Sequence, residues 1–124
     1  MAVGGALLVA LGSTAAYAGG STKTDLDNGV LYFEAHNGRD MGQSAKKVYV
    51  GEKFKKTGGS TVTARLEAHF EGGNYKDVDR TVKKGKSIHW STSVPVSAAS
   101  DCTAVGVMFA DGVHFETPYI KRLC

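Results

Sequence analysis

Apolar and polar residues alternate strictly along residues 60–71, STVTARLEAHFE. Val62, Ala64, Leu66, Ala68 and Phe70 form one set, and Thr61, Thr63, Arg65, Glu67, His69 and Glu71 the other. A β-strand sends successive side chains to opposite faces, so this period of two predicts a long strand with one apolar and one polar face. The pattern recurs over Val30–His36, where Leu31, Phe33 and Ala35 alternate with Tyr32, Glu34 and His36. It recurs over Lys46–Val50, with Val48 and Val50 inward and Lys47 and Tyr49 outward, and over Ser87–Val94, with Ile88, Trp90, Thr92 and Val94 against His89, Ser91 and Ser93. Thr103–Ala110 and Val113–Thr117 flank Asp111-Gly112, a strong hairpin signal between apolar strands. A short edge strand near Arg80–Val82 completes the set, its flanking charges suiting an exposed edge.

The segments between these strands carry turn residues. Residues 20–28 read as a polar, flexible lead-in ending at the Asn28-Gly29 turn. Residues 37–44 form a Gly-rich loop, residues 53–59 a basic loop, and Gly72-Gly73-Asn74 closes the long strand. Pro95 cannot donate to a ladder, so it ends its strand or sits at an edge. No helical period follows residue 20. Seven short strands separated by turns predict an all-β chain: a small antiparallel β-sandwich of immunoglobulin-like architecture over residues 29–124. Trp90 is the natural core aromatic. Both cysteines follow it, so the inter-sheet cysteine pair of a true immunoglobulin domain is absent.

The first residues change the picture of where this domain works. An apolar run at 6–11 precedes Ala16-Tyr17-Ala18 and Gly19-Gly20, the form of a secretory signal peptide (1–18) cleaved after Ala18, although no Lys or Arg precedes the run. The run is too short and too broken by Gly and Ser for a membrane span. In an exported chain two cysteines favour one disulfide, Cys102 to Cys124, contributing roughly 3 kcal/mol through loop-closure entropy. The expected location is therefore secreted or extracellular.

Candidate chemistry is sparse. There is no Gly-x-Ser-x-Gly elbow, bridged cysteines offer no nucleophile, and no carboxylate pair stands apart from ordinary surface charge. The chain reads as a non-enzyme that needs no cofactor. His36 shares a strand face with Glu34, and His69 with Glu67; if those two strands were neighbours, the four side chains would converge on a divalent metal. Lysines cluster at Lys53, Lys55 and Lys56 and again at Lys83 and Lys84, suited to anionic surfaces or simply to solubility. A formal net charge of +3 on an exported chain is poor footing for nucleic-acid binding. Tyr32 and Tyr49 fall on outward positions, where tyrosine serves protein interfaces and sugar platforms.

The leading reading is a secreted, non-catalytic binding module acting on another secreted or cell-surface protein, as an inhibitor of an extracellular enzyme or as an adaptor in an extracellular assembly. The alternatives are a carbohydrate or cell-wall binder using Tyr32 and Tyr49, and a metal-assisted hydrolase using the Glu/His faces.

Overall fold

The computed structural model describes residues 19–124; the expected signal peptide lies outside the described residues. Among the described residues nine strands form two antiparallel sheets. In chain order they are β1 (Gly19–Leu26), β2 (Gly29–Asn37), β3 (Lys47–Lys56), β4 (Val62–Phe70), β5 (Gly73–Lys76), β6 (Arg80–Val82), β7 (Ser87–Pro95), β8 (Val105–Ala110) and β9 (Val113–Glu116). One sheet runs β1-β2-β3-β7. The other runs β9-β8-β4, with β5 and β6 sharing the far side of β4 as one interrupted edge. The two-layer β-sandwich expected from the alternation is the fold observed. Single-turn 3-10 helices at Gly38–Met41 and Val96–Ala98 are the only helical segments among the described residues.

Three expectations need correction. Residues 19–26 are not a flexible lead-in: they form β1, paired with β2 along its whole length through a tight turn at Asp27-Asn28. Gly73 and Asn74 do not merely end the long strand but begin β5, which folds back on β4. The basic loop expected at 53–59 is largely strand, since β3 continues to Lys56. Its signal was hidden because two inward positions, Glu52 and Lys56, carry charged residues where alternation calls for apolar ones, and both are buried.

The core lies between the sheets in two clusters. One holds Phe33, Ala35, Val48, Val50, Ala68, Phe70 and Val94. The other holds Leu31, Phe54, Ala64, Leu66, Ile88 and Met108. Trp90 packs against both. Glu52, cross-strand partner of both Phe33 and Trp90, sits at the seam. Asp111 and Gly112 take left-handed conformations (φ 51° and 78°), the geometry an Asp-Gly hairpin turn requires.

The carboxy-terminal segment is held to the sandwich at several points. The expected disulfide joins Cys102 to Cys124, and it ties the loop before β8 to the chain end rather than one sheet to the other. Ala104 bridges Ile120, Leu123 is fully buried, and the Asn37 side-chain amide donates to the Leu123 carbonyl at 2.8 Å. On the same side the Thr22 and Thr24 hydroxyls donate to the carbonyls of Pro118 and Glu116, tying β1 to the β9 margin.

Candidate functional site

The outer face of the four-stranded sheet is a platform that no further layer covers among the described residues. Register places its side chains in rows across the sheet. Lys23, Tyr32, Lys53 and His89 form one row, and Gly19, His36, Tyr49 and Ser93 another. Between them lie Ser21, Glu34, Gly51 and Ser91; beyond Tyr32 come Asp25, Val30, Lys55 and Ser87. The Lys53 ammonium lies 5.6 Å from the centroid of its cross-strand neighbour Tyr32. Tyr32 is 38% exposed beside it. His36 Nε2 lies 3.1 Å from Glu34 Oε1. With no side chain, Gly51 leaves a dip into which Glu34 leans. Lys23, Lys47, Lys53 and Lys55 outnumber Asp25 and Glu34, so the face is basic.

Four of the sequence-derived binding candidates therefore share one surface with Glu34 and His36: Tyr32, Tyr49, Lys53 and Lys55. Lys56 does not join them. It points inward with its ammonium beside Gly59 and is 2% exposed. Lys83 and Lys84 lie in the exposed turn between β6 and β7, where backbone bonds from Lys56 to Gly85 and Lys86 fasten the turn to the end of β3. Lys23 and His89 were missed as platform residues. Lys23 lay in a segment read as flexible, although Thr22, Thr24 and Leu26 alternate there with Lys23 and Asp25.

The proposed metal ligands do not converge. Glu34 and His36 stand on β2 and Glu67 and His69 on β4, strands of different sheets whose outer faces point away from one another. No group of three or more His, Cys, Asp or Glu among the described residues is placed to hold a metal. Glu67 and His69 instead belong to a chain of ion pairs on the other outer face. Glu67 is 1% exposed; it accepts from Arg65 Nε at 2.7 Å and pairs with His69 Nε2 at 2.7 Å. Arg65 continues to Asp79 at 3.2 Å and lies 5.4 Å from the Phe109 ring centroid. Burial works to raise the Glu67 carboxyl, but the hydrogen bonds from His69 and Arg65 outweigh it and hold it below the usual carboxylate range.

Beside His69 lies a shallow depression of about 150 Å³, bordered by Glu71, Asp101, Thr103, Val105 and Tyr119. A histidine steered by a buried carboxylate is half of a general-base arrangement. Among the described residues no hydroxyl hydrogen-bonds its ring, and both thiols are bridged.

Glu52 is the third unusual group. It is 3% exposed in the core seam, and neither carboxyl oxygen has a hydrogen-bond partner. Burial pushes its pKa up to about 10, and the charges of Glu67 and Asp77 add to the rise. Comparison with protein-family models, curated proteins and solved structures finds no match for this chain.

Proposed function

We propose that this protein is a secreted, non-catalytic binding module that engages an acidic partner protein through the outer face of its four-stranded sheet. The observation that carries the reading is the gathering of Tyr32, Tyr49, Lys23, Lys47, Lys53 and Lys55 on one uncovered face. Tyrosine supplies large contact area at low entropic cost, and lysines around it select an anionic counterpart. The disulfide and the expected signal peptide support work outside the cytosol.

The test is paired capture from the medium of the producing cells. Immobilised wild type is expected to retain an acidic protein that a Tyr32→Ala/Lys53→Glu variant of equal stability does not. Equal retention by both would reject the platform as the binding surface.

A second reading has its own observation. Tyr32 and Tyr49 stand on adjacent strands four residues apart in register, roughly 13 Å at strand spacing, with the Gly51 dip between them. Two rings flanking a dip with Glu34 and His36 beside it suit an extended polysaccharide. Affinity electrophoresis on a polysaccharide panel separates the two: retardation abolished by Tyr49→Ala supports the sugar, and free migration on every gel removes it.

A further inference from the structure

Each sheet of an open sandwich leaves two edges whose unpaired backbone groups can template another strand. Three of the four edges here carry a device against that. β1 presents Lys23 and Asp25 and is tied to the β9 side by Thr22 and Thr24. β9 is only four residues long and is followed by Pro118. The β5/β6 edge is broken at 77–79, where Asp77 is clamped by Arg80 at 2.6 Å. β7 carries only Pro95, at its very end. It is nine residues long, with no Lys, Arg, Asp or Glu between Ser87 and Pro95, and among the described residues pairs only with β3.

The ladder shows which backbone groups β7 leaves free. Val96 N–H donates to the Lys46 carbonyl, and Lys56 N–H donates to the Lys86 carbonyl. Both pairs extend the β3–β7 register and involve even-numbered residues, so Ile88, Trp90, Thr92 and Val94 spend their backbone groups on β3. Ser87, His89, Ser91 and Ser93 therefore direct theirs away from the sheet.

We propose that β7 pairs with β7 of a second copy, antiparallel about a two-fold axis, so that two four-stranded sheets become one of eight. The strand is self-complementary in one register. With Trp90 opposite its mate, Ser87 faces Ser93 and His89 faces Ser91, so all four free residues exchange hydrogen bonds. Pro95, which lacks an N–H, is left outside. No like-charged pair is created within Ser87–Pro95, and the half-buried Trp90 meets its mate as a cross-strand aromatic pair. This pairing goes beyond the binding role proposed above and does not need it. It would join two basic platforms into one surface.

Sedimentation velocity on the exported, oxidised protein tests the pairing, from about 1 µM to about 1 mM, the range in which weak self-association is read. Wild type is expected to shift from monomer to dimer across that range. Ser91→Pro is the decisive variant: the Ser91 N–H does not serve β3, so the monomer keeps its ladder while the dimer loses a central bond and gains a clash. It is expected to stay monomeric, with the melting temperature of dilute wild type. Should Ser91→Pro not fold, Ser91→Lys leaves every β3 bond whole and sets two ammonium groups diagonally across the axis; it too is expected to stay monomeric. A wild type that remains monomeric throughout, or a folded variant that dimerises like wild type, overturns the proposal. Neither result bears on partner capture by the platform, which is read separately.

Discussion

The ring of Phe33 occupies the space that a side chain at Gly106 would need. A Cβ built at Gly106 would stand 2.5 Å from the Phe33 Cγ, inside any real contact distance, and Phe33 is 1% exposed with nowhere to go. The two sheets pack together here, β2 against β8, because a glycine on one side accepts an aromatic from the other. Gly106→Ala is expected to destabilise the protein by roughly 1–3 kcal/mol, the usual cost of overpacking. Denaturant unfolding measures it. Phe33→Leu in the same chain should recover part of the loss, so the double variant should be less destabilised than the sum of the singles.

Glu52 works against the fold at every pH where the unfolded chain ionises it. Its native pKa of about 10 lies far above the ordinary glutamate value of 4.5, so between those values the native state holds a proton the unfolded state has released. The Glu52 contribution should be most favourable below about pH 4.5 and decline as pH rises toward about 10, by at most about 1.4 kcal/mol per unit. Glu52→Leu removes two unsatisfied oxygens and should stabilise at neutral pH by roughly 1–3 kcal/mol. It should also flatten the alkaline decline. Unfolding free energies of both proteins across the pH range decide this, and an unchanged slope in the variant would assign the decline to another group.

Glu67 acts in the opposite sense at the acid end. Its carboxyl is held below the ordinary range, so the stability it lends is present above the unfolded value and lost as pH falls through the native one. Glu67→Gln should cost about 1 kcal/mol at neutral pH, because Arg65 and His69 remain partly solvated. It should also make the acid limb shallower. Acid titration of the far-ultraviolet circular dichroism, variant against wild type, reads both effects.

The Cys102–Cys124 bridge spans 22 residues and holds the segment that delivers Ile120 and Leu123 to the core. The paired substitution Cys102→Ser/Cys124→Ser should lower stability by about 3 kcal/mol. Hydrogen exchange should rise first at Ala104 and Ile120, whose reciprocal backbone bonds anchor the same segment. A uniform rise across all strands would mean that the bridge acts on the whole sandwich at once.

Local pattern was enough to read the sandwich class, the inward faces of β2, β4 and β7, the Asp111-Gly112 hairpin and the disulfide. Each depends on spacing of two, on a dipeptide's backbone preference, or on there being only two cysteines, and all of these are local or countable. Local pattern failed where tertiary contacts outweighed composition. β1 is polar but is held by a full ladder to β2 and by two threonine hydroxyls. β3 runs on through Glu52 and Lys56 because pairing on both sides makes up for charged residues at inward positions. Whether Glu34 and His36 would meet Glu67 and His69 depended on which strands became neighbours, and only packing assigns β2 and β4 to different sheets. The same assignment put Tyr32, Tyr49, Lys53 and Lys55 on one face. A strand's period dictates which side chains share its side, but the choice of neighbours is made by contacts far apart along the chain, which no short window contains.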